Sequence, residues 1–147
     1  MDTILLPPDF KEFLKLLSSN KVKYIVVGGY AVNYHGYSRA TADLDVWVAI
    51  SLENSTRIAE VLREFGFATA EPEIFMQTNK VIRMGVPPLR LELLTSISGV
   101  DFDTCYQRRH IVEIDGVEVN LIHLDDLKEN KRASGRLKDL SDLAELP

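Results

Sequence analysis

The sequence predicts an α/β (α+β) domain: a mixed central sheet flanked by helices, with a helical tail at the C-terminus. Three observations lead there. Residues 24–27 form a near-continuous apolar run, the pattern of a strand buried on both faces. Residues 43–49 and 89–94 alternate, and 111–114 and 117–121 flank Asp115-Gly116, a two-residue hairpin signal. Amphipathic helical spacing recurs before, between and after these strands. The predicted order is helix, strand, helix, strand, helix, several strands, helix, which is not the regular alternation of a doubly wound sheet.

The elements follow from local signals. Pro7-Pro8-Asp9 starts a first helix with Phe10, Phe13, Leu14 and Leu17 on its apolar side, and Ser18-Ser19-Asn20 ends it. After the strand at 24–27 come Gly28-Gly29, a short helical stretch from Tyr30 to about Tyr34, and a loop through 36–41. The strand at 43–49 leads to a helix over roughly 53–65, capped by Ser51 or Asn54 and closed by Gly66. Residues 67–72 read as a connection, and 74–77 and 80–84 as two short strands around a turn at Thr78-Asn79. Val86-Pro87-Pro88 interrupts pairing, because proline donates no ladder hydrogen bond. In 89–94, Arg90 and Glu92 share one face and Leu89, Leu91 and Leu93 the other. Residues 101–109 read as a short helical or irregular excursion, and 123–146 as helix with a break near Gly135.

The bulk numbers bound the function. At 147 residues, 46% hydrophobic and 27% charged, the chain reads as one soluble domain over 1–147, with a core over about 20–122 and a helical tail over about 123–147. The net charge of -5 supplies no global field for nucleic acid, so a polynucleotide would need a local basic patch. The single cysteine, Cys105, excludes an intrachain disulfide and reads as buried. The N-terminal apolar run lacks a basic flank and is too short for a signal peptide or a membrane span. A cytoplasmic protein with no membrane partner is the expectation.

The chemistry concentrates in residues 24–49. Asp43 and Asp45, at i and i+2 of a strand, stand side by side. At ~4 Å and an effective dielectric of ~20, two carboxylates repel by roughly 4 kcal/mol. A hard divalent cation such as magnesium removes that penalty. Without one, the bland reading is a strand-start cap and a surface ion pair. Gly28-Gly29 allows backbone N–H groups close to an anion, or else makes only a tight turn. Arg39, just before the acids, is a candidate phosphate ligand. So are Lys131, Arg132, Arg136 and Lys138 in the tail, where Lys131, Lys138 and Asp142 fall at helical spacing; a solvated face with Glu129 and Asp139 as partners is the alternative. Tyr30, Tyr34 and Tyr37 read as packing rather than base-stacking residues, and His35 as a hydrogen-bonded loop residue rather than a ligand.

The arrangement Val27-Gly28-Gly29, thirteen residues, then Asp43-Leu44-Asp45 resembles the signature of the DNA polymerase beta-like nucleotidyltransferase superfamily. The stretches Leu93–Phe102 and Asn130–Leu143 look like small stand-alone bacterial and archaeal members related to abortive-infection toxins. The resemblance spans about residues 10–145. It implies a nucleotidyltransferase-like fold and transfer of a nucleoside monophosphate from a nucleoside triphosphate to an RNA end, a protein or a small molecule. It implies Asp43, Asp45 and a third acid, best matched by Glu92, as catalytic residues and ligands of two magnesium ions, with manganese as a substitute. Gly28, Gly29, Arg39, Lys131, Arg136 and Lys138 would contact the nucleotide phosphates. The pattern departs from the family at Gly29, where serine is usual, and at Glu92, where aspartate is. Two further expectations come with it: a toxin–antitoxin partner, with a catalytically weak nucleotide-binding module as the alternative to an enzyme, and a homodimer.

Overall fold

The computed structural model describes residues 4–67, 71–85 and 89–147. Among these, six α-helices and a mixed six-stranded sheet follow one another: α1 (Pro8–Ser19), β1 (Tyr24–Val27), α2 (Gly28–Tyr34), β2 (Asp43–Val48), α3 (Leu52–Phe65), a 3-10 turn (Pro72–Met76), β3 (Val81–Met84), β4 (Arg90–Leu94), α4 (Phe102–Arg108), β5 (His110–Ile114), β6 (Val117–Leu121), α5 (Leu124–Ser134) and α6 (Leu137–Glu145). The strand order is β3-β4-β2-β1-β6-β5. β1 runs antiparallel to β2 and parallel to β6, while β2 and β4 are parallel. The outer pairs, β3 with β4 and β5 with β6, are antiparallel.

Most predicted elements form, with bounds shifted by a few residues. α2 begins at Gly28 rather than Tyr30. Ser51 is the cap of α3, accepting from the Asn54 N–H, and Asn54 instead turns inward to bond Lys23 and Ala49. The predicted tail helix is two helices meeting at Gly135. One expectation fails: residues 74–77 are not a strand. Pro72 starts a 3-10 turn there, which buries Phe75 and leaves β3 to pair with β4 alone. Leu89 is 46% exposed, so the buried side of β4 is Leu91 and Leu93 only. Residues 68–70 of the predicted connection and Val86-Pro87-Pro88 lie outside the described residues.

Two faces of the sheet matter. Leu44, Val46, Leu91 and Leu93 belong to one continuous core with Phe13, Leu14 and Leu17 of α1 and Ile58, Val61 and Leu62 of α3. Alternation sends Asp43, Asp45 and Trp47 to the other face. There Trp47 packs edge-on against Phe102 of α4, ring centres 5.0 Å apart. The loop after β4 then holds the tail: Asn130 donates to the Ser98 carbonyl, and Gly99, at φ +80°, is packed where any Cβ would strike Ala133.

Candidate active site

The parallel register of β2 and β4 sets Asp43 opposite Arg90 and Asp45 opposite Glu92. The register of β1 and β2 sets Val27, the residue before the glycines, opposite Asp45. Three neighbouring strands therefore bring Gly28, Asp45 and Glu92 to one cleft of about 450 Å³. Its far wall comes from the tail, with Lys131, Arg136 and Lys138.

Gly28 has φ +68°, a conformation glycine adopts without strain. A Cβ there would overlap the Asp45 carboxylate. The space a side chain needs is thus already filled by the acid, and backbone and carboxylate lie in direct contact.

Asp45 is an electrostatic anomaly. Its Oδ1 is buried without a hydrogen-bond partner among the described residues. Burial, the Glu92 carboxylate within Coulombic and hydrogen-bonding reach, and Asp43 push its pKa up to about 7, against the opposing pull of Lys138. Asp45 and Glu92 are anionic oxygen donors at one cleft, one with an unused lone pair, which is the donor chemistry a magnesium or manganese ion prefers.

The three predicted acids are not equally placed. Asp43 shares the face but does not line the cleft; Arg90 holds it at 3.2 Å. Arg83 of β3 donates to Glu92 at 3.1 Å. Among the described residues, no group of three or more Asp, Glu, His or Cys side chains is arranged to hold a metal ion.

The predicted cations differ more sharply. Arg39 lines the cleft but donates twice to Asp142, at 2.9 Å and 2.9 Å. Lys131 is buried between Asp139 (3.2 Å) and Asp142 (3.1 Å). Arg136 bonds Asp139 at 2.7 Å while its side chain stays 76% exposed. Arg132 pairs with Glu129 and does not line the cleft. Lys138 lines the cleft with no ion pair or hydrogen bond among the described residues, which leaves its charge available. Burial pushes the Asp139 carboxyl up, but bonds from Arg136 and Ser134 and the Lys131 charge outweigh it and bring it down to about 2.

Sequence reasoning underrated Asp139 and Asp142, which read only as partners on a charged helix face. The break at Gly135 folds α6 back on α5, so these acids become the buried counterions of Lys131 and Arg39. It also overlooked Val81 as a cleft residue, although alternation on β3 puts it on the acid face with Arg83, the partner of Glu92. Cys105 is buried as expected, and burial followed by Asp126 pushes its thiol up to about 12. His35 bonds the Ile122 carbonyl at 2.7 Å. No helix among the described residues is long and apolar enough to cross a membrane.

Comparison with known proteins agrees with this fold. The chain resembles the crystal structure of a candidate nucleotidyltransferase from Thermotoga maritima, at 17% identity and a TM-score of 0.60 over 95% of this chain and 93% of that one. It also resembles an antigenic nucleotidyltransferase-like protein from Paracoccidioides brasiliensis, at 18% identity and a TM-score of 0.54 over 92% of this chain and 72% of that one. At such identities the likeness shows the fold. No curated protein matches the sequence. The family model described as nucleotidyltransferase of unknown function (DUF6036) matches residues 8–146, and the chain belongs to that family.

Proposed function

We propose that this chain is a magnesium-dependent nucleotidyltransferase, moving a nucleoside monophosphate from a nucleoside triphosphate to a hydroxyl or phosphate acceptor. The observation that carries the reading is Asp45: a buried carboxylate with an orphan oxygen, pressed against a glycine and another acid, facing a wall of cations.

Asp45 and Glu92 would hold the metal, with Asp43 available to join if Arg90 swings away. Bound magnesium would supply charge neutralisation on the phosphates and activation of the attacking oxygen. The chain's own residues supply position and charge, which is most of what phosphoryl chemistry asks of a protein. Gly28 and Gly29 leave room for a phosphate against the backbone. Lys138 is the cation ready to meet it, and the exposed Arg136 guanidinium is the second. Arg39 and Lys131, already neutralised by buried aspartates, act by fixing the tail against the sheet.

Acceptor identity follows from none of these contacts, so the test offers several. The protein is incubated with each labelled nucleoside triphosphate, magnesium, and RNA, protein or aminoglycoside fractions. Label should appear on one fraction and vanish in Asp45→Asn. Absence of transfer to every fraction, with nucleotide still bound, would favour a second reading: a nucleotide-binding module without turnover, working with a toxin–antitoxin partner. Arg83 on Glu92 and Arg90 on Asp43 favour that second reading, because each guanidinium occupies a carboxylate the metal would need.

A further inference from the structure

A second cavity, about 940 Å³, shares only Arg39 with the cleft. Its walls are residues 4–5, the outer side of α2 and the end of β5. The N-terminal wall is anchored: the Leu6 N–H donates to Asp115 at 2.9 Å, and Lys11 pairs with the same carboxylate at 3.2 Å.

Its charges do not cancel. Arg39 is neutralised by Asp142 and Asp115 by Lys11. Glu113 lines the cavity with no ion pair or hydrogen bond among the described residues, so the described lining keeps one negative charge. Tyr30 supplies an independent sign. It is only 5% exposed, its ring is held edge-on by Phe10, and its hydroxyl has no hydrogen-bond partner among the described residues. That hydroxyl is not fully occluded, and Tyr30 lines the cavity. A phenol buried this deeply normally finds a partner. At the rim, Leu5 is 70% and Tyr34 42% exposed.

We propose that this cavity binds a small organic cation with an aromatic body, an arylalkylamine. Its ammonium meets Glu113, its ring lies against Tyr34 and Leu5, and a polar group on it pairs with the Tyr30 hydroxyl. The charge excludes anions from the same place, so this ligand is not the nucleotide. The inference stands apart from the transferase reading and does not need it.

The test is fluorine NMR of fluorotyrosine-labelled protein titrated with tyramine. The Tyr30 and Tyr34 signals, assigned by single Tyr→Phe variants, should shift saturably while Tyr24 and Tyr106 stay still. Glu113→Gln, at an exposed position that leaves the fold intact, should weaken binding at least about threefold, the scale of an exposed ion pair. Neutral para-ethylphenol and anionic para-hydroxyphenylacetate should bind more weakly still. No saturable shift of Tyr30 up to about 10 mM tyramine, weaker than any useful affinity, would overturn the proposal. So would binding unaffected by Glu113→Gln, or shifts spread over all tyrosines.

Discussion

At the scale of single residues, Asp45 sets the terms. Its folded pKa, about 7, lies above the ordinary carboxylate value, so the folded state holds its proton more tightly than the unfolded chain. That contribution to stability is fully present below about pH 4 and is lost as pH rises through 7. Asp45→Asn should therefore stabilise the metal-free protein above pH 7 by about 2 to 4 kcal/mol, the difference fading below about pH 4. Thermal or urea melts across that range check it, and a pH-independent difference would contradict the burial and Glu92 repulsion invoked here. Gly28 gives a second residue-scale prediction. Alanine there must carry a positive φ and a methyl group inside the Asp45 carboxylate. Gly28→Ala should lower stability by about 1 to 3 kcal/mol and reduce nucleotide transfer at least 100-fold, roughly the loss of one oriented binding element. Melts and initial rates measure both, and near-native rates would show that the backbone there does not approach the phosphates.

At the scale of elements, the tail is fastened by charge. Lys131 sits between Asp139 and Asp142, and removing it leaves each nearly buried carboxylate with one counterion instead of two, Arg136 for Asp139 and Arg39 for Asp142. Lys131→Ala should destabilise the fold by about 1.5 to 3 kcal/mol, the scale of lost hydrogen bonds to charged groups. Adding Asp139→Asn to it should recover part of that loss, because the carboxylate whose remaining partner is the exposed Arg136 no longer needs the lysine. A double-mutant cycle on chemical denaturation reads the coupling, and strict additivity would sink the idea of a network. These elements also show what the sequence could and could not reveal. The strand at 24–27, the alternation of Asp43-Leu44-Asp45, the hairpin at Asp115-Gly116 and the break at Gly135 were legible because period and turn chemistry are local, whereas Glu92 was reached only through the family resemblance. The strand expected at 74–77 failed because Pro72 and the buried Phe75 favour a tight turn that alternation alone does not reveal. The pairing of Arg39 with Asp142 was illegible, since 103 residues separate them and only the fold of the tail brings them together. Arg90 on Asp43 depends likewise on strand register, which no single segment encodes.

At the scale of the whole molecule, sheet, helices and tail share one core, from Phe13 in α1 through Leu121 in β6 to Leu127 in α5. Unfolding should be a single cooperative step. Far-UV circular dichroism, which follows all the helices, and the fluorescence of Trp47, packed on Phe102, should give coincident transitions. A tail that melted first would separate them. In the proposed function, this core holds Asp45 and Glu92 together at the mouth of a cation-lined cleft, where a divalent metal and a polyphosphate would relieve their crowding. The most direct measurement is manganese binding followed by electron paramagnetic resonance, with and without a non-hydrolysable nucleoside triphosphate, in wild-type protein, Asp45→Asn and Glu92→Gln. The account predicts that wild-type protein binds manganese more tightly with nucleotide present, and that each variant loses at least about tenfold in affinity while staying folded, as expected for loss of one carboxylate ligand. Equal manganese affinity in all three proteins would contradict it.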